Sequence, residues 1–292
     1  MTRVTEGSLV AQFLRSLERA RSDSSSALEA ITDGKRVRVA SDDPIAASRA
    51  LRTRARLART EGYKRTGALV RADLTTIDSR LGEATNLLTA ARTKAQAAIA
   101  PNDQNALDAL AVDIAGLRAD LEDIANTRQR GRYLFSGTDT LTAAYNDVGN
   151  YTGNNDQVIA YVDDDVDVPV TLDGEEVFAG SGDNAFFTLD ALETALRNND
   201  TGAIQTAIDE LTRELEHVSR ARAEVGSRLR TVDRTVEKLE QEQVRLQVEL
   251  GGFEDVSLER AAIELAQADQ TTQAIGQTAG RLFGRSLFDF IG

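Results

Sequence analysis

An elongated, mainly α-helical hairpin carrying a small β-rich insert is the fold this sequence predicts, and three observations predict it. Apolar residues recur at helical spacing up to about residue 132. From about 133 to 188 they alternate with polar residues among glycines and acidic turns. Beyond that the helical spacing returns and runs almost to the C-terminus. Two helical arms go out and come back, with a strand-rich stretch at the bend. The expected division is a terminal helical domain of 1–40 with 255–292, a helical coiled-coil rod of 41–132 with 189–254, and an outward β-rich insert of 133–188.

Composition narrows the function classes. The chain has 292 residues; 41% are hydrophobic but only 5% aromatic, and Trp is absent. Such an Ala, Leu, Val and Ile set suits thin helix seams better than a thick globular core. The net charge of −13 repels a phosphate backbone, so no nucleic-acid partner is expected. Arg15, Arg19 and Arg21, and the run from Arg49 to Arg59, read as solvated helix faces. With no cysteine and only His217, neither thiolate nor histidine metal sites can form, and no cofactor is expected. No apolar run approaches the ~18 residues of a membrane span, so no membrane insertion is expected, and the first residues lack the apolar centre of a signal peptide. A cytoplasmic protein and one exported with its N-terminus uncleaved fit equally.

In chain order, Val10, Leu14, Leu17, Leu28 and Ile31 form a heptad seam, with Arg21 and Ser24 at the two positions between. A seam so interrupted needs a partner segment to hold a helix. Asp33-Gly34 ends that helix through a left-handed cap, and Lys35 to Val39 alternates as a short extended piece. Asp43 then caps a helix whose first residue is Pro44. The cap and the helix dipole account for Asp42 and Asp43 without an acid-base or metal role.

From Val70 the spacing is strict: Val70, Leu74, Ile77, Leu81, Ala84, Leu88, Ala91, Ala95 and Ala98. Alanine in its later half implies close helix approach. Pro101-Asn102-Asp103 reads as a break or a kink within the arm, not its end, and the pattern resumes at Leu107, Leu110, Ile114, Leu117, Leu121 and Ile124. Val166, Val168, Val170 and Leu172 alternate as an edge strand bearing Pro169, and Asp173-Gly174 reads as its hairpin turn. The cluster of Asp163, Asp164, Asp165 and Asp167 lacks calcium-loop spacing and reads as a soluble edge. The return arm holds a heptad frame from Ile204 to Leu250, polar only at Arg222 and Gln243, over roughly 70 Å. Gly251-Gly252 stops it, and Ser257 caps a last helix with Leu258, Ala261, Leu265, Ala268, Ile275, Ala279 and Leu282 inside. The apolar tail Leu287, Phe288, Phe290 and Ile291 reads as an interface.

Three segments carry a resemblance. They are Gly34-Lys35-Arg36 followed by Ser41-Asp42-Asp43-Pro44, the stretch Tyr133-Leu134-Phe135-Ser136-Gly137, and the tail from Ser286 to Asp289. Together they resemble the flagellin superfamily, and within it the hook-associated protein 3 family of hook-filament junction proteins. Flagellin itself is the alternative; it carries an Asp-Asp-Ala-Ala-Gly pattern where this chain has Asp42-Asp43-Pro44-Ile45-Ala46. A coiled-coil scaffold outside the flagellum accounts for the heptads but not for the three segments. No phosphate loop, triad or metal cluster supports an enzyme. The resemblance implies terminal segments that assemble against neighbouring subunits in a ring. It also implies hook-associated protein 1 and flagellin as neighbours, an export chaperone and the type III export apparatus as transit partners, and an extracellular place in the bacterial flagellum.

Overall fold

The computed structural model describes residues 6–100, 103–180 and 184–291, with side chains described between residues 11 and 279. The helices are α1 (Glu6–Asp33), α2 (Pro44–Ala98), α3 (Gln104–Ala125), α4 (Gly174–Phe178), α5 (Ala185–Arg197), α6 (Thr201–Glu254) and α7 (Leu258–Ile291). The strands are β1 (Arg128–Gln129), β2 (Arg132–Tyr133), β3 (Ile159–Asp163) and β4 (Val166–Pro169), in two antiparallel pairs, β1 with β2 and β3 with β4. The mainly helical class with a small strand-bearing insert is what the periodicities called for. The chain divides into two compact units, 59–242 and 1–58 with 243–292. Both α2 and α6 contribute to each.

In the unit of 59–242 the strict seam is buried throughout: the nine positions from Val70 to Ala98 are at most 3% exposed. It packs against α6, whose Ile204, Leu211, Val218, Val225 and Val232 are fully buried. Ion pairs Lys64–Glu240, Arg71–Asp233 and Asp78–Arg222 rise along α2 as they fall along α6, so the two run antiparallel. Arg222, polar in an apolar frame, turns its guanidinium outward to Asp78 at 3.0 Å and stays out of the seam.

The break near Pro101 is a reversal, not a kink. Lys94 pairs with Asp113, Thr76 donates to Gln129 at 2.6 Å, and Leu87 shares a groove with Leu117. Those pairings run α3 back along α2. A proline ends a helix but sets no direction afterwards; burial of Leu107, Ile114 and Leu121 against α2 decides it. Asp103 then starts α3 by accepting from Ala106 N at 2.9 Å.

The β3–β4 hairpin turns at Asp164-Asp165, upstream of the expected place. Asp173 instead caps α4, accepting from Glu175 N at 2.9 Å. An Asp-Gly pair supports a turn and a helix start through the same carboxylate-to-amide bond, and sequence does not separate them. Around α4 lies an aromatic cluster of Phe135, Tyr145, Phe178 and Phe186, with ring centroids 4.6 to 6.4 Å apart. It is continuous with the α2–α3–α5–α6 core.

In the other unit α1 packs along α7. The end of α6 also differs from expectation: the helix passes through Gly251 and Gly252 and stops at Glu254. Glycine lowers helix propensity by only about 1 kcal/mol, and partners at Glu254 outweigh that.

Candidate assembly surfaces

The Gly34 to Pro44 motif folds into a clasp on the end of α6. Gly34 takes φ +69°, a left-handed conformation that lets α1 end and the chain turn. Its carbonyl accepts from Val256 N at 2.9 Å, while Arg36 N and Val37 N donate to the Glu254 carbonyl at 2.7 and 3.3 Å. The Glu254 carboxylate, only 5% exposed, receives Lys35 at 3.3 Å and Arg54 at 2.7 Å. One buried acid thus holds the motif, α2 and α6 together. The extended piece expected at 35–39 is a single antiparallel bridge, Lys35 to Asp255, followed by a turn.

Asp42 accepts from Arg38 N at 2.9 Å and Val39 N at 3.0 Å, and these amides, Val39 first, hold its carboxyl below the usual range. Asp43 accepts from Ala46 N at 2.9 Å as the helix cap and from Arg36 at 3.1 Å. The Ala46 amide and then Arg36 lower its carboxyl likewise. Both carboxylates are occupied as anchors. Ser41 is exposed beside them.

The α1–α7 seam is rotated from the one read in sequence. Phe13, Leu17, Ser24 and Ile31 are half-buried and Ala20 and Ala27 buried, whereas Leu14 and Leu28 are 52% and 55% exposed. On α7, Ala261 and Ala268 are buried and Leu265 and Ile275 half-buried. Ser24 donates across the pair to Asp269 at 3.2 Å. Alanine at the contact allows close approach of the two helices, and the larger side chains then fall outside it. Ile263 on α7 is also exposed, at 57%. The side chains of Val10, Leu282, Leu287, Phe288, Phe290 and Ile291 lie outside the described residues.

Tyr133 to Gly137 is a backbone crossroads in the other unit. Residues Arg130 and Gly131, both at positive φ, make the tight β1–β2 turn. Leu134 N donates to Thr127, Leu172 N to the Leu134 carbonyl, and Gly174 N to the Phe135 carbonyl. The Ser136 hydroxyl donates to the Asp139 carbonyl at 2.8 Å. Gly137 has φ +67°, and a Cβ there would stand 2.0 Å from the Asn154 carbonyl oxygen. Arg128 stacks on Tyr133 at 4.7 Å.

Two anchors escaped the sequence reading. Glu254 follows a Gly-Gly pair that reads as a stop, and its partners are about 200 residues away. Arg228 is 8% exposed on α6, donating to the Pro169 and Thr171 carbonyls and to Gln157 and Glu224. It pins β4 to the helix, and nothing in its neighbours' spacing marks it. A third restraint lies at the acidic hairpin tip: Lys238 reaches Asp163 at 2.7 Å, and Tyr63 donates to Asp164 at 2.8 Å.

The sequence model of the bacterial flagellin N-terminal helical region matches residues 7–163. The chain belongs to the flagellin family. Within that family it stands with the hook-associated protein 3 members. Flagellar hook-associated protein 3 of Salmonella typhimurium (strain LT2) is 28% identical over 289 residues, 89% of this chain and 90% of that protein. The Escherichia coli (strain K12) protein of the same name is 29% identical over 233 residues, 70% of this chain and 73% of its own. FlgL of Bacillus cereus shares the fold, with a TM-score of 0.63 at 24% identity over 68% of this chain and 99% of that one. On the paired α1 and α7 helices of this flagellin-family chain, Leu14, Leu28 and Ile263 are left exposed.

Proposed function

We propose that the chain is a structural subunit of the flagellum that joins the hook to the flagellin filament. In this reading it assembles as a ring, with hook-associated protein 1 on the hook side and flagellin on the filament side. It reaches that extracellular place through an export chaperone and the type III export apparatus. The terminal segments, 1–40 and 255–292, pack against neighbouring copies, and 133–188 faces outward. The observation that carries the reading is the α1–α7 pair: its contact is lined by Ala20, Ala27, Ala261 and Ala268, and large apolar side chains remain on its outer faces. Each such side chain contributes about 1.5 to 3 kcal/mol when fully buried, and in a ring these gains recur at every contact.

Deletion of the gene tests this. The expected cells carry hooks without filaments and release unassembled flagellin into the medium; normal filaments on the deletion strain would overturn the reading. Removal of 286–292 is expected to leave the isolated chain folded and secreted but unable to support filament growth. Filaments of normal length on cells with only the truncated chain would show that the tail is not an assembly contact.

A further inference from the structure

Within the run from Arg49 to Arg59, Arg54 is taken up by Glu254 and Arg59 by Asp164, whereas Arg49 and Arg52 are not absorbed by those contacts. On α2, Ile45, Arg49 and Arg52 fall at i, i+4 and i+7 and share one helical face, with Ile45 70% exposed and both arginines exposed. Arg49 stacks on the Phe253 ring at 5.9 Å and Arg52 donates to the Ser48 hydroxyl. Among the described residues neither has a carboxylate partner. An acidic protein here leaves two adjacent cations unneutralised beside an apolar side chain.

The β3–β4 hairpin presents the opposite. Val162 and Val168 are buried on its inner face, and strand alternation sends Tyr161 and Asp167 outward, directly across from each other in register. Asp165 is exposed in the adjoining turn. Asp163 and Asp164 are held by Lys238, Tyr63 and Arg59, while Asp165 and Asp167 form no ion pair among the described residues. Tyr161, 65% exposed, supplies a ring that both an arginine and an isoleucine can cover.

We propose that the Ile45–Arg49–Arg52 face of one copy receives the Tyr161–Asp165–Asp167 face of the next. The two faces match in charge and in apolar content, and they are different parts of one chain. Such a contact is heterologous: each copy offers both halves, so the contact repeats around a ring or along a helix. Each exposed ion pair is weak and is screened by salt, so the contact adds direction and register to an assembly more than strength. This deepens the ring reading above and rests on it for its biological setting.

The absence of cysteine permits a direct test in the full-length chain. Ser48→Cys in one preparation and Ile159→Cys in another place one thiol beside each face. Mixed under mild oxidation at high concentration and low ionic strength, they are expected to form a disulfide-linked heterodimer. Its yield should exceed tenfold that from Val112→Cys mixed with Ile159→Cys. Adding R49E and R52E to the first chain should cut the yield about tenfold, and adding D165R and D167R to the second should restore it to within threefold. A yield no higher than the control pair, or no restoration by the swapped charges, overturns the proposal. In cells the doubly swapped chain should support swimming where either reversal alone does not. If the gene deletion itself leaves filaments normal, the junction reading fails, and the disulfide yields still judge the contact between copies.

Discussion

The two units of this chain use long helices to opposite ends. Among the described residues, the fully buried aromatic side chains Phe135, Tyr145, Phe178 and Phe186 all lie in 59–242, together with the buried Leu74, Ile77 and Leu81 of α2. Among the described residues of 1–58 with 243–292 the buried apolar ones are Ala20, Ala27, Val37, Ala46, Ala50, Leu246, Ala261 and Ala268. Six of those eight are alanine, so little apolar area leaves water when this unit forms alone. Several of its larger residues, among them Leu14, Leu28, Ile45, Leu51, Val244, Val248 and Ile263, stay at least half exposed. One unit is finished by its own core, and the other leaves large apolar side chains exposed.

The largest contrast should appear in hydrogen exchange. Amides of 211–239 should exchange only through global opening, at about 5 to 15 kcal/mol, whereas α1 and the first turns of α7 should open at far lower cost in the dilute chain. Equal protection of the two would erase the distinction. Core truncation comes next: Leu81→Ala, at a fully buried seam position, should cost about 2 to 5 kcal/mol in denaturant unfolding. Leu28→Ala should stay within about 0.5 kcal/mol by the same measurement. Arg228→Ala should cost about 2 to 3 kcal/mol, since buried carbonyls of Pro169 and Thr171 lose their donor. Chemical shifts around β4 should move while those of 107–114 stay in place.

Glu254→Gln sharpens the comparison from the other side. It weakens a node shared by Lys35 and Arg54, both about half exposed, so the expected loss is about 1 kcal/mol, with faster exchange at Arg36 and Val37. The smallest effect is electrostatic. Burial pushes the Asp163 carboxyl up, but Lys238 and the Asp164 amide outweigh it, and the net position is below the ordinary carboxylate value. A lowered folded value means that this contribution is complete above the unfolded pKa near 4 and is lost as pH falls through the folded one. Exchange at Tyr161 to Val166 should therefore quicken below pH 4, and Asp163→Asn should flatten that dependence.

Much of this protein was legible in its residues. The strict seam of α2, the frame of α6, the Asp43–Pro44 helix start and the left-handed Gly34 follow from local geometry: periodicity, capping and φ preference act within a few residues and are written there. The same local rules misplace part of the α1 seam: Leu14 and Leu28 stay exposed while Ala20 and Ala27 are buried. They read Asp173-Gly174 as a turn, Gly251-Gly252 as a stop, and the break at Pro101 as an interruption within one arm. In each case the local signal allowed two outcomes of similar energy, and contacts distant in sequence chose between them: α3 burying its stripe on α2, Glu254 gathering Lys35 and Arg54, close-packed alanines drawing α1 to α7. A pattern states which residues must leave water; only the assembled fold states which surface covers them.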